Sequence, residues 1–304
     1  MAIDERYRQQ VELLVRTLPS VASEDVFALK GGTAINLFVR DLPRLSVDID
    51  LTYLPVKPRG ESLTEIDEAL ERIGRSISEP LPDLRVLPSR LAKERTLNRL
   101  IVRSPQAQIK IEVTPVMRGC VFEPSIMAVS EKVEDQFSFA ETLVVSRDDL
   151  YAGKLVAALD RQHPRDLFDV RDLLAHEGIS DTLRQAFLVY ILSHNRPAAE
   201  VLAPRRKEIE QEFQNNFVGM TAAPVRIEDL ISTREEMIEI VVGQMPQDHR
   251  EFLIGVERGN VRWQLADLQE VAELPAVRWK LSNLDKVSPD RRETFAANLA
   301  AIWD

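Results

Sequence analysis

From Leu45 to Tyr53 apolar and polar side chains alternate without a break, with Val47, Ile49 and Leu51 on one side and Ser46, Asp48, Asp50 and Thr52 on the other. Only an extended strand sends successive side chains to opposite faces, so this run belongs in a sheet with one face on a core and one face open. The open face then carries the Asp48 and Asp50 carboxylates, spaced about 7 Å apart along the backbone. Like charges so placed repel, and a hard divalent cation shared with phosphate oxygens and water relieves the repulsion. An Asp-x-Asp pair taken alone is equally a solvated surface feature.

What precedes the strand narrows the choice. After a short apolar stretch, Val26 to Leu29, comes Lys30-Gly31-Gly32-Thr33, and then Ala34 to Arg40 with Ala34, Leu37 and Phe38 on one helical face. Gly31 and Gly32 let a ligand approach the backbone closely, the following helix offers unpaired N–H groups, and Thr33 adds a hydroxyl; phosphate oxygens suit that geometry. The plainer reading is a Gly-Gly turn with Thr33 as helix N-cap. A phosphate-cradling turn, one helix and then a strand of paired carboxylates is nevertheless the order needed to hold a triphosphate beside its magnesium.

Other elements follow from periodicity. A helix is expected over residues 4–18, ended by Pro19, and an amphipathic one over 61–78. Arg85 to Leu91 and Leu97 to Arg103 read as strands around a basic connection. In Gln108 to Val116 the residues Ile109, Ile111 and Val113 share one face and Lys110, Glu112 and Thr114 the other, which makes Glu112 a candidate third carboxylate and Lys110 its candidate ion-pair partner. Ser146 to Asp149 fits a capping box that opens a helix through Leu150, Leu155 and Ala158, and Pro164 sits where a further helix to about Ala175 would begin. From Thr182 onward the pattern is helical, punctuated by prolines.

The chain has 304 residues, 44% hydrophobic and 29% charged, enough for two domains. Its net charge of −10 repels nucleic acid, so an RNA partner requires a local basic surface. One stretch supplies it: Arg85 to Arg118 holds eight basic residues against two acidic ones, +6 in all, the alternative being a solvated hairpin face. A single cysteine, Cys120, and four histidines without metal-ligand spacing leave oxygen as the ligand for any metal and offer no nucleophile constellation. A charged N-terminus and the lack of a membrane-length apolar run point to the cytosol, with no membrane partner.

Two segments together resemble a known family. Lys30-Gly-Gly-Thr-Ala-Ile-Asn-Leu followed by Arg44-Leu-Ser-Val-Asp-Ile-Asp-Leu is similar to the first motif of the AbiEii/AbiGii toxins, a family with MenT-like members in the polymerase-β-like nucleotidyltransferase superfamily. Lys154-Leu-Val-Ala-Ala-Leu-Asp-Arg-Gln-His-Pro-Arg-Asp-Leu-Phe-Asp169 is similar to its second. The resemblance spans about residues 25 to 175 and implies an α+β, bilobed fold: a nucleotidyltransferase domain with a mixed sheet over 1–150, and a largely helical lobe over 151–304 that contributes Lys154 and Asp169 to the cleft. By the same analogy Gly31, Gly32 and Thr33 hold the triphosphate and Lys154 contacts its phosphates. Arg165 and Asp166 belong to the nucleotide site, Asp169 completes the catalytic set, and Asp48 and Asp50 bind Mg²⁺ or Mn²⁺, with Glu112 as the candidate further ligand. The implied activity is transfer of a nucleoside monophosphate from a triphosphate to RNA, such as a tRNA acceptor end, by the toxin of a toxin-antitoxin pair with a cognate antitoxin. The alternatives are transfer to a small-molecule or protein hydroxyl, and a nucleotide-binding interaction protein without turnover.

Overall fold

The computed structural model describes residues 3–91 and 96–304, so Lys93 and Arg95 of the basic stretch lie outside the described residues. The chain divides into two compact units, the first made of 1–150 and 217–225, the second of 151–216 and 226–304.

The first unit opens with α1 (Glu5–Ala22), capped by Asp4, whose carboxylate accepts the Arg6 N–H at 2.8 Å. The stop expected at Pro19 does not occur. Leu14, Leu18 and Val21 lie on one buried face, and the burial of Leu18 and Val21 outweighs the backbone bond that proline cannot make. Then come β1 (Phe27–Lys30), the single turn α2 (Gly31–Ala34) widening into a π-helical turn over Ile35–Val39, β2 (Asp48–Tyr53) and α3 (Arg59–Ser78). The glycines therefore form the first turn of the helix and do not precede it. Strands β3 (Arg85–Arg90), β4 (Leu97–Arg103) and β5 (Gln108–Arg118) fall where alternation placed them, followed by β6 (Ser125–Ala128), α4 (Glu131–Gln136) and β7 (Glu141–Val144).

The seven strands form one mixed sheet in the order β3-β4-β5-β2-β1-β7-β6. The β2–β5 and β1–β7 pairs are parallel and the rest antiparallel. Ile49 and Leu51 of β2, Ile111 and Val113 of β5, and Leu100 and Val102 of β4 are buried on the face that α1 and α3 cover. The alternation thus leaves Asp48, Asp50, Lys110 and Glu112 on the other face, none of them buried. The segment 217–225 belongs to this unit through its backbone: Leu45 donates to the Met220 carbonyl at 2.8 Å and Asp4 to that of Gly219 at 3.0 Å.

The second unit is helical among the described residues. It takes most of α5 (Arg147–Arg161), then α6 (Pro164–His176), α7 (Asp181–Leu192), α8 (Ala198–Leu202), α9 (Glu210–Asn216), α10 (Ile227–Ile238), α11 (Gln247–Arg258), α12 (Pro275–Leu284) and α13 (Pro289–Ala300). Its core is built from Leu155, Leu167, Val170, Phe187, Phe252 and Val256. Trp279 is half exposed on α12. Among the described residues no helix is long and apolar enough to cross a membrane.

Candidate active site

The glycine turn and the carboxylate strand lie against each other. Gly31 adopts φ +75°, and a side-chain carbon there would come within 2.7 Å of Asp50 Oδ2, so only glycine brings the backbone this close to the carboxylate. At Gly32 such a carbon would meet Arg44 Nη2 at 2.8 Å and Ser46 Oγ at 3.0 Å. Arg44 and Ser46 are both buried and brace the turn from beneath, a role that their spacing before Asp48 did not reveal. Thr33 is also buried: its hydroxyl reaches the Asp48 carbonyl at 2.5 Å and Ser46 Oγ at 3.0 Å. With its one proton donated inside the protein, Thr33 ties the turn to β2.

Register adds a row of charge that no single segment discloses. Lys30 on β1 lies opposite Asp50, Asp50 opposite Glu112 on β5, and Glu112 opposite Arg99 on β4. Arg99 grips Glu112 with both nitrogens of one edge, at 2.9 and 3.1 Å, so the partner of Glu112 is Arg99 and not the Lys110 expected from the strand pattern. Desolvation lowers the Lys30 pKa, with Asp50, Cys120 and Glu112 pulling the other way. Burial, with help from Asp149 and Glu123, pushes the Cys120 thiol up to about 12, where it is no nucleophile at neutral pH.

The oxygen-only set on this face fits magnesium, which is held by one or two carboxylates and completes its shell with phosphate and water. Among the described residues no three acidic, histidine or cysteine side chains converge as a ready-made cage. The Asp48–Asp50 pair beside the glycine turn is therefore the donor set that fits, and Glu112, engaged by Arg99, stands next to it.

The other predicted residues gather in the second unit. Lys154 on α5 reaches Asp166 at 2.8 Å and Asp169 at 2.9 Å, both on α6. The lysine is 6% exposed and each aspartate 1%. Arg161 closes on Asp166 at 2.5 and 3.0 Å. Burial alone would raise the Asp166 carboxyl, but Lys154 and Arg161 outweigh it and hold it well below the usual carboxylate range. His163 caps α6, its Nδ1 accepting the Arg165 N–H at 3.1 Å, while Arg165 itself is half-buried. At the start of α5 the Ser146 hydroxyl accepts the Asp149 N–H at 3.0 Å, as the capping pattern required. The Asp149 carboxylate, however, holds the Val121 and Phe122 N–H groups at 3.0 Å each.

The basic stretch is less uniform than its sequence. Arg90 is paired with Asp67 at 2.5 Å and Glu71 at 2.9 Å, Arg99 with Glu112, and Arg118 is buried. Arg85, Arg103 and Lys110 are exposed.

The family described as nucleotidyl transferase AbiEii toxin, type IV TA system, matches residues 12–283. Among solved structures, the chain is similar to MenT4, a nucleotidyltransferase toxin from Mycobacterium tuberculosis H37Rv, at 16% identity and a TM-score of 0.58, covering 98% of this chain and 94% of that one. At that identity the likeness establishes the shared fold. No curated protein matches the sequence.

Proposed function

The chain belongs to the AbiEii nucleotidyltransferase toxin family, and from that premise we propose that it transfers a nucleoside monophosphate from a triphosphate to RNA, such as a tRNA acceptor end, with release of pyrophosphate. The observation that carries this reading is the packing of the Gly31 turn onto the Asp50 carboxylate, with Asp48 two residues away on the same open face. A triphosphate laid on the turn's N–H groups would meet both carboxylates. Asp48 and Asp50 would hold magnesium, which, when bound, offsets the charge on the phosphates. Gly31 and Gly32 admit the phosphates, and Thr33 and Ser46 keep the turn fixed to β2 so that substrate is held in line. The acceptor oxygen joins the α-phosphorus as the bond to pyrophosphate breaks, and the hydroxyl proton passes to solvent, with no covalent protein intermediate.

Family resemblance further assigns Lys154, Arg165, Asp166 and Asp169 to transfer, and we carry that assignment as part of the proposal. The exposed Arg85, Arg103 and Lys110 are the residues of the basic stretch that support an RNA acceptor. The family description also names a type IV toxin-antitoxin system, so a cognate antitoxin is expected.

The test is incubation with Mg²⁺, each α-labelled triphosphate and total cellular RNA, beside an Asp48→Ala control. Label in RNA, absent from the control, supports the reading, and label only in protein or small molecules overturns the RNA acceptor. That second outcome is favoured by one observation, the net charge of −10.

A further inference from the structure

Among the described residues Arg118 has no counter-ion. It closes β5 in register with Tyr53 of β2 and is 7% exposed, yet among the described residues neither its Nε nor its Nη1 has a hydrogen-bond partner. Tyr53 lies on the helix-covered face, where its hydroxyl donates to Glu65 of α3. Glu65 in turn accepts from Lys57 at 2.8 Å, so this carboxylate is already engaged. Desolvation first, and then the charge of Arg59 at the start of α3, push the Arg118 pKa down, while Tyr53 alone leans the other way.

Buried guanidinium groups are normally matched by carboxylates, and one left unmatched is destabilising. A second feature points the same way. α3 is 20 residues long and its N-cap, Pro58, makes no side-chain capping hydrogen bond to the first turn. Two guanidinium groups at an uncapped helix N-terminus suit an anion with several oxygens and more than one partner, which is the chemistry of a phosphate group.

We propose that Arg118, with Arg59 and the N-terminus of α3, forms a phosphate-binding site on the sheet face opposite Asp48 and Asp50, and that a backbone phosphate of the RNA acceptor occupies it. Tyr53 is three residues beyond Asp50, about 10 Å along the strand, so the site is distinct from the glycine turn. The RNA clause rests on the proposed function; the phosphate clause does not.

The experiment uses the full chain and the variants Arg118→Met and Arg118→Lys. Inorganic phosphate, against chloride at equal ionic strength, should raise the wild-type Tm by about 2–4 °C. Arg118→Met should start with a higher Tm than wild type in phosphate-free buffer, since an uncompensated buried charge is gone, and should not respond to phosphate. Arg118→Lys keeps the charge without the fork and should show a reduced response. A single-stranded RNA oligonucleotide titrated across a KCl series should bind Arg118→Met about 10-fold more weakly at low salt, with a log–log salt slope smaller by about 0.7, while binding of Mg²⁺-triphosphate is unchanged. A lower Tm in both variants with unaltered phosphate and RNA responses would make Arg118 a structural residue and overturn the proposal. A phosphate response without a change in RNA slope overturns the RNA clause and leaves free phosphate as occupant. Arg118-dependent binding of polyglutamate in place of phosphate overturns the site and points to an acidic protein. Arg118-dependent RNA binding in a chain that labels no RNA would uphold the site while the acceptor assignment fails.

Discussion

On the open face of the sheet Asp48 and Asp50 stay half-exposed beside a glycine turn, whereas in the helical unit Asp166 and Asp169 are 1% exposed and close on Lys154. The residue types are nearly the same. In the first unit two carboxylates face outward, beside a Glu112 that Arg99 already holds. In the second, one lysine joins two buried carboxylates, and an exposed Arg161 completes the balance. A cluster that leaves charge at the surface can receive an ion from outside, and one that neutralises itself away from water also ties its helices together.

The largest test of this contrast is Asp48→Ala. Transfer should fall by on the order of 10³-fold or more, about 4 kcal/mol of lost transition-state stabilisation, while the thermal midpoint stays within a degree or two of wild type or rises as repulsion is relieved. A collapse in stability instead would show that the open face is structural, and the contrast would break.

Lys154→Met probes the other side. Removing the shared ammonium takes one cation from each of two buried carboxylates, and Asp166 still has Arg161. Urea unfolding should report a loss of about 3 kcal/mol, the low end for a broken buried pair. If stability is unchanged and only triphosphate affinity falls, Lys154 is a ligand for substrate and the two clusters are more alike than their burial suggests.

A smaller effect separates histidine from aspartate inside the second unit. Burial holds His163 at about 4 against an ordinary value of 6.5, so the folded state favours the neutral ring whose Nδ1 caps α6. Its contribution is complete above pH 6.5 and drains away as the pH falls towards 4, whereas Asp166 is still ionised throughout that window. His163→Asn, which keeps a capping oxygen, should flatten the decline between those limits by about 1 kcal/mol in pH-dependent urea melts. An unchanged decline would assign the acid sensitivity elsewhere.

The smallest expected change is in Arg99→Met. The Arg99–Glu112 pair is about one-third exposed on each side, 37% and 34%, so its loss should shift stability by less than about 1 kcal/mol. Released from Arg99, Glu112 gains freedom to join the Asp48–Asp50 donor set, and the magnesium concentration for half-maximal transfer should fall. A rise would mean that Arg99 holds Glu112 in its working position.

Much of the first unit was legible because alternation is local. The runs around Asp48 and Asp50, around Glu112 and through Leu97 to Arg103 declared themselves as strands, each with one apolar face, and Pro164 marked the start of α6. Strands β6 and β7 are four residues each, too short for periodicity to register. Pro19 misled for a tertiary reason, since Leu18 and Val21 gain a buried face only when the sheet is present.

By itself the sequence determined the order of elements as far as β5, the strand face that carries each carboxylate, and the two motifs of the family, because these depend on periods of two and 3.6 residues and on spacing within one segment. Only the tertiary structure decided that Glu112 meets Arg99 and not Lys110, that the Thr33 hydroxyl turns inward to Asp48, that Lys154 joins two aspartates out of water, and that Arg118 is buried with no counter-ion among the described residues. Those outcomes depend on which distant strand or helix lies alongside, and register between strands is a property of the folded pair that neither segment carries alone.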